Sequence, residues 1–180
     1  MTGAPFPTAW AWLALACYAL HAAELVLRFP LANLLWSCNV AAAGVAVALF
    51  TGDARLNAAG CMLLAAGSVY WLLDLAGGGE LLRTAPLTHV VELAVSCRAV
   101  ALTRVPSGSA HLATATLIAV TALARLAGPA SENVNLAFRI PRGYERWFPG
   151  HAAYLIANFA LLALCFHCCE RACGQTPDVH

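Results

Sequence analysis

Apolar runs of nearly membrane-crossing length recur along the whole chain, with short polar breaks between them. A helix needs about 20 apolar residues, each rising about 1.5 Å, to cross the hydrocarbon core of a bilayer. Six runs approach this length, and the breaks contain glycine, proline, asparagine or charged residues, which are typical of turns. The pattern predicts six transmembrane helices, at residues 9–27, 31–50, 56–75, 86–102, 111–126 and 151–167.

The segments outside these runs are too short to fold as a second domain. Residues 128–150 are the most polar stretch, and we expect them to form an interfacial segment at the membrane surface. Residues 168–180 are predicted to form a short cysteine-rich tail, whose thiols would be lipidated or would hold a metal. The predicted fold class is all-α: a single membrane domain over residues 1–180, built as a bundle of six transmembrane helices.

The composition agrees with an integral membrane protein. Hydrophobic residues make up 61% of the chain and charged residues only 11%, whereas about a quarter of a soluble domain is charged. The formal net charge of +1 gives no sign of nucleic-acid binding, so membrane lipid is the expected partner. We expect the protein to reside in a bacterial inner membrane or a plasma membrane.

Polar side chains concentrate at the helix ends that share one side of the predicted membrane, because six crossings place the first, third and fifth connections together. The polar residues near those connections are His21, Glu24, Asn33, Cys38, Asn39, Asp74, His89, Glu92, Arg125 and His151. The opposite side carries far fewer, chiefly Asn57 and Arg98. Ionisable groups are costly in hydrocarbon and usually mark a site, so we expect a polar pocket in one leaflet. An excess of arginine on that side predicts that the pocket faces the cytoplasm.

The motif His-x-x-Glu occurs twice, as His21 with Glu24 and as His89 with Glu92. Residues three apart lie on the same face of a helix, so each motif presents an imidazole and a carboxylate together. Two such pairs could bind a divalent metal or haem in a bundle core, making the protein a binding module or a small-solute carrier. The alternative is structural: each carboxylate neutralises a buried arginine or histidine.

Cys38 and His89 form a second candidate pair, because each lies early in its predicted helix and both enter from the same side. A histidine within reach of a thiol can withdraw its proton and create a nucleophile. Glu92 or Asp74 would then orient the imidazole, and Asn39 would donate a hydrogen bond to an oxyanion. The alternative is an ordinary core cysteine beside a hydrogen-bonded histidine.

Arginines alternate with aromatic residues in the polar segment before the last predicted helix. Such a mixture suits the headgroup level of a membrane, where aromatic side chains anchor and arginines contact phosphate. We predict lipid-substrate contacts from Asn135, Arg139, Arg142, Arg146, Trp147 and His151. The alternative is an interfacial loop without a substrate role.

Several short motifs follow one another across most of the chain: Trp36-Ser37-Cys38-Asn39, Trp71-Leu72-Leu73-Asp74, His89, Asn133-Val134-Asn135-Leu136, Pro141 and Pro149-Gly150-His151-Ala152-Ala153-Tyr154. Together they resemble the YwaF-like membrane proteins, whose animal member is a phospholipid acyltransferase. The resemblance implies an acyl-thioester mechanism that requires no cofactor. It implies Cys38 as the nucleophile and His89 as the base.

Three functional hypotheses follow from the sequence. The leading one is an intramembrane enzyme that transfers acyl groups between lipids through Cys38 and His89. The second is a metal- or haem-binding module or small-solute carrier that uses the two His/Glu pairs. The third is a structural subunit that assembles with a second copy of the chain or with another membrane protein.

Overall fold

The computed structural model describes residues 6–141 and 143–174, and within these ranges it contains helices and loops without strands. Six α-helices follow one another: α1 (Thr8–Arg28), α2 (Ser37–Thr51), α3 (Ala54–Ala76), α4 (Leu93–Thr103), α5 (Ser109–Ala127) and α6 (His151–Gly174). A π-helical segment, Leu87–Glu92, leads directly into α4 and is called the π turn below. The predicted all-α fold class is confirmed.

Four of these helices, α1, α3, α5 and α6, are long and apolar enough to cross a membrane. α2 is also apolar but has only 15 residues, so it rises about 22 Å, less than the roughly 30 Å of a bilayer core. The structure therefore supports a membrane protein with four potential crossings in the described ranges. The prediction of six crossings goes beyond this and stays a prediction.

Two predicted boundaries need correction. The second predicted helix is interrupted, because a 3-10 turn, Leu31–Leu35, precedes α2 and Trp36 between them has a non-helical backbone with φ −56° and ψ 134°. The last helix continues to Gly174, so the first half of the predicted cysteine-rich tail is helical. Residues 175–180, the rest of that tail, lie outside the described residues.

Glycines let α2 and α3 approach each other closely. A Cβ atom added at Gly60 would lie 2.6 Å from Cγ2 of Val45, and one added at Gly67 would lie 2.8 Å from Cβ of Cys38. Both distances are well inside van der Waals contact, so larger residues would force the helices apart. Small residues at helix interfaces are the usual means of close packing in membrane bundles. This packing fixes Cys38 against the middle of α3.

Contacts at one end of the bundle join the connection after α1 to the one after α5, and the connection after α3 to the last turns of α1. Asn33, after α1, donates a hydrogen bond from Nδ2 to Oε2 of Glu132, after α5, at 2.9 Å. The backbone N–H of Thr84, after α3, donates to Oε2 of Glu24 in α1 at 2.9 Å. Polar groups from separate parts of the sequence therefore meet at this end.

The opposite end is more polar than the sequence indicated. The rings of His111 and His167 contact each other edge to face, with centroids 4.6 Å apart. Glu170 accepts hydrogen bonds from the backbone N–H groups of Gly108, at 3.0 Å, and Ala110, at 2.6 Å. This carboxylate therefore caps the start of α5, where unpaired N–H groups favour an anion. Glu170 reaches this end because α6 extends further than predicted.

Candidate functional site

The π turn carries three buried polar side chains, Thr88, His89 and Glu92, into the middle of the bundle. Pro86 directly precedes it and has no N–H group, which is tolerated at the start of a helix. The turn packs against α1, α2 and α3. π-Helical turns are rare and are frequently found at functional sites. These features make the π turn the centre of the candidate site.

Glu92 is a fully buried acid at the end of the π turn. Its exposed fraction is 0%, and neither oxygen accepts a hydrogen bond from residues 6–141 or 143–174. Thr88 lies beside it and its buried hydroxyl interacts with the carboxylate, but within those ranges the two groups form no hydrogen bond of ordinary length. The thiols of Cys17 and Cys38 lie within electrostatic range of the carboxylate. Burying an unpaired carboxylate is costly, so we expect a proton or a ligand to occupy this position.

His89 is held by α3. The Ser68 hydroxyl donates to the backbone oxygen of Leu64 at 2.8 Å, so its oxygen accepts from Nδ1 of His89 at 3.2 Å. With the proton on Nδ1, the lone pair of the ring lies on Nε2. The indole of Trp71 stacks on the imidazole, with centroids 4.8 Å apart and planes 7° from parallel. The ring is therefore fixed in orientation and keeps Nε2 as a proton acceptor.

Cys38 is buried at the start of α2, next to Asn39. Its Sγ atom donates a weak hydrogen bond to Oδ1 of Asn39 at 3.9 Å, and Nδ2 of Asn39 donates to the backbone oxygen of Asn33 at 2.9 Å. The Asn39 side chain also lies beside the ring of His21. In the described part of the chain no hydrogen bond joins Cys38 to His89. The predicted pair is thus not formed as a direct contact.

Asp74 does not orient His89, contrary to the prediction. It lies in the last turn of α3 and is exposed. Its backbone oxygen accepts from the N–H groups of Gly77, at 3.0 Å, and Gly79, at 2.8 Å. Asp74 therefore takes part in ending α3, and Ser68, nearly two turns earlier, holds the imidazole instead.

The first His-x-x-Glu motif is occupied by structural contacts. Oε2 of Glu24 accepts from the N–H of Thr84 at 2.9 Å and from its hydroxyl at 2.5 Å. Nδ1 of His21 donates to the same hydroxyl at 2.8 Å. Arg28 donates to Oε1 of Glu24 at 3.3 Å and pairs with Glu80. Glu24 thus anchors the connection that leads into the π turn, and its partner is Arg28 rather than a more distant arginine.

The metal site predicted from His21, Glu24, His89 and Glu92 is not assembled. Within the described ranges, no group of three or more histidine, cysteine, aspartate or glutamate side chains is arranged to hold a metal ion. Glu24 is bonded to the connection after α3, His89 is bonded to Ser68, and Glu92 is buried in the core. This alternative therefore has no support from the geometry.

Asn135 and His151, two predicted substrate contacts, hold the polar segment onto the bundle. Oδ1 of Asn135 accepts from the N–H of Ser37 at 2.7 Å, and its Nδ2 donates to the backbone oxygen of Leu35 at 2.6 Å. Asn135 thereby caps the start of α2 from a left-handed backbone with φ 51°. Nε2 of His151 donates to the backbone oxygen of Leu136 at 2.8 Å. Both residues position the site rather than line it.

The remaining predicted lipid contacts lie at the surface. Arg139 lines a hollow of about 490 Å³ together with Asn133, Ile140, Pro141 and Glu145. Arg146 lies over the ring of Trp147 at 5.1 Å, and both side chains are exposed. Arg142 lies outside the described residues. Exposed arginine and tryptophan side chains are suited to a membrane headgroup layer.

Sequence reasoning missed Ser68, Thr84 and Thr88 as parts of the site, and it included Trp71 only in a motif of the resemblance, without a role. The sequence offers a weak signal for the two threonines, because they flank Pro86, which begins a predicted helix. The free N–H groups at the start of a helix attract a carboxylate. Ser68 had no such signal, because its role depends on how α3 packs against the π turn.

No protein-family model, curated protein or solved structure matches this chain. The relation to the YwaF-like proteins therefore remains a resemblance carried by short motifs. Function has to be inferred from the π turn and the side chains around it.

Proposed function

We propose that this chain is an integral membrane protein of six crossing helices that transfers acyl groups between membrane lipids. The observation that carries the proposal is the burial of both the Cys38 thiol and the Glu92 carboxylate where α2 packs against the π turn, with no hydrogen bond to Glu92 from residues 6–141 or 143–174. A thiol needs a proton acceptor to become a nucleophile, and a carboxylate without other partners can serve.

In the first half of the reaction, Glu92 takes the proton of Cys38, and Sγ attacks the ester carbonyl carbon of a phospholipid. The ester C–O bond breaks, an acyl thioester forms on Cys38, and the released lysophospholipid oxygen takes the proton from Glu92. In the second half, the hydroxyl of another lipid gives its proton to Nε2 of His89 and attacks the thioester. Sγ of Cys38 leaves and recovers the proton. These steps consume no cofactor.

His89 takes a different role from the one first assigned to it. Its Nδ1 is committed to Ser68, so Nε2 can accept a hydrogen bond from the incoming lipid hydroxyl. Asn39 uses one of its two amide protons for the backbone oxygen of Asn33, which leaves one for the oxyanion. Glu92 takes the place of His89 as the final acceptor of the thiol proton. Because no direct hydrogen bond joins Cys38 to Glu92 in the described ranges, the proton passes through one bound water molecule or lipid hydroxyl.

The test is acyl exchange between two labelled phospholipids in vesicles that contain the purified protein. We expect Cys38→Ala to lower turnover about a hundredfold or more, because the covalent step is lost. Cys17→Ala is the matched control, since Cys17 is also a buried thiol near Glu92, and it should retain activity within about twofold. Mass spectrometry should find an acyl group on Cys38. Undiminished turnover in Cys38→Ala would exclude the thioester mechanism.

A second candidate, a proton-linked carrier of a small cationic solute, is favoured by the Glu92 carboxylate and Thr88 hydroxyl, which form no ordinary hydrogen bond within the described residues. Intramembrane carboxylates commonly bind cations or relay protons. Uptake of labelled methylammonium into vesicles under a pH gradient distinguishes the two functions. A carrier would lose uptake in Glu92→Gln and keep it in Cys38→Ala, whereas the acyltransferase would show no specific uptake.

A further inference from the structure

Two thiols face each other at the other end of the α3–α4 interface, remote from the site described above. The Sγ atoms of Cys61 in α3 and Cys97 in α4 lie 3.4 Å apart. Both cysteines are free, Cys97 is exposed and Cys61 is partly exposed. A disulfide bond requires the sulfur atoms to approach to about 2 Å, which a small side-chain rotation can supply from this separation.

Hydrogen bonds fix the register of the two helices beside these thiols. Asn57 and Ser96 are both fully buried, and Nδ2 of Asn57 donates to the backbone oxygen of Ser96 at 3.2 Å. The Ser96 hydroxyl lies 3.1 Å from Oδ1 of Asn57. Asn57 is one helical turn before Cys61, and Ser96 directly precedes Cys97. The pair is therefore held in place by a buried polar contact rather than by chance exposure of two side chains.

We propose that Cys61 and Cys97 form a reversible dithiol–disulfide site that reacts with small hydrophobic disulfides from the bilayer. Cys97 lies six residues before Thr103, the end of α4, so it is about 9 Å below that end. A reactant that partitions into the membrane can reach this depth, and the exposed Cys97 is the thiol it meets first.

The chemistry is two successive thiol–disulfide exchanges. The Cys97 thiolate attacks the small disulfide, forming a mixed disulfide and releasing one small thiol. The Cys61 thiolate then attacks the Cys97 sulfur, closing the intramolecular bond and releasing the second small thiol. Each cysteine loses one proton to a departing thiolate, and the small disulfide takes up the two electrons. A dithiol reductant reverses both steps.

Cys169 of α6 is the competing partner, because it lies within electrostatic range of Cys97 and near Cys173. It would form a different cross-link, between α4 and α6. The two products are distinguishable because they join different peptides after digestion. A dominant bond between Cys97 and Cys169 would overturn the proposal.

The test treats the full chain in detergent micelles with an equimolar amount of 4,4′-dithiodipyridine and maps the products by mass spectrometry. We expect a peptide pair joined through Cys61 and Cys97, two thiopyridones released for each chain cross-linked, and loss of the bond on reduction. The rate of the second exchange should exceed that of the first about tenfold or more, because the two thiols are already adjacent. A pyridylthio group retained on Cys97 of the unmutated chain would contradict this.

Cys61→Ser supplies the mechanistic control. It should retain the pyridylthio group on Cys97 and release a single thiopyridone from that site. Cys165→Ser removes an exposed thiol of α6 and should leave the Cys61–Cys97 product unchanged. If Cys61→Ser fails to fold, as judged by loss of helical circular dichroism, Cys97→Ser serves instead. The reagent should then modify Cys61 of that variant more slowly than it modifies Cys97 of the unmutated chain.

Discussion

In the first His-x-x-Glu motif, Glu24 accepts two hydrogen bonds from Thr84, at 2.9 and 2.5 Å, and pairs with Arg28 at 3.3 Å. In the second, Glu92 accepts none from the residues that the structure describes. The spacing is the same, but Glu24 lies near the end of α1, where the backbone N–H groups of Arg83 and Thr84 donate to it, whereas the π turn buries Glu92 against neighbouring helices. One motif therefore stabilises the fold, and the other is left available for chemistry.

The contrast shows that a pair of ionisable residues in a membrane helix does not define its own role. A carboxylate that is fully hydrogen-bonded is retained for stability, and removing it leaves donors unpaired. A buried carboxylate without partners destabilises the fold, so its presence calls for a functional reason. Four substitutions test this distinction.

The largest loss of stability should come from Glu24→Leu. The change leaves the Thr84 and Arg83 N–H groups without their acceptor, so we expect the free energy of unfolding to fall by about 2–4 kcal/mol. An unfolding titration in detergent micelles measures this value. Glu24→Gln keeps one acceptor oxygen and should lose less; equal losses would show that the backbone contacts contribute little.

Glu92→Leu should have the opposite effect on stability. Replacing an unpartnered buried carboxylate by an apolar side chain of similar size is expected to raise the free energy of unfolding by about 1–3 kcal/mol. The same variant should lose acyl exchange. A variant that is both destabilised and fully active would show that Glu92 has a structural role only.

Thr84 should matter through its hydroxyl, which joins His21 to Glu24. Thr84→Val removes that hydroxyl while keeping the shape, so we expect a loss of about 1–2 kcal/mol in the same titration. Thr84→Ser is the matched control and should be close to the unmutated chain. Similar losses in both variants would assign the effect to packing of the methyl group.

Arg28→Ala should have the smallest effect. Arg28 contacts Glu24 and Glu80, but its side chain is 40% exposed and that of Glu80 is 60% exposed. Exposed ion pairs contribute below about 1 kcal/mol and are screened by salt. The difference in free energy of unfolding between this variant and the unmutated chain should therefore shrink from low to high ionic strength. A larger, salt-independent loss would mean that the pair is shielded from solvent.

The helices were largely predictable because they depend on runs of apolar residues, which the sequence displays directly. Helices over Thr8–Arg28 and Ala54–Ala76 lie within two residues of the predicted bounds. The break at Trp36 was not predictable, since a distant residue, Asn135, caps the start of α2. Local patterns do not report such long-range partners.

The candidate site was predictable in its members but not in their roles. Cys38, His89 and Glu92 were singled out because polar residues are rare in apolar helices. Which of them bonds to which depends on helix rotation and on the π turn, and neither is visible in residue spacing. For that reason Ser68 rather than Asp74 holds His89, and Glu24 rather than Glu92 is neutralised.

The most direct test of the contrast compares the melting temperatures of Glu24→Gln and Glu92→Gln in the same detergent. Both variants replace a carboxyl group by an amide of the same shape, so the difference reports the surroundings of each group. We predict that Glu24→Gln lowers the melting temperature by about 2–8 °C and that Glu92→Gln raises it by about 2–4 °C. If both temperatures fall by similar amounts, Glu92 is a bonded structural residue, and the functional site does not lie at the π turn.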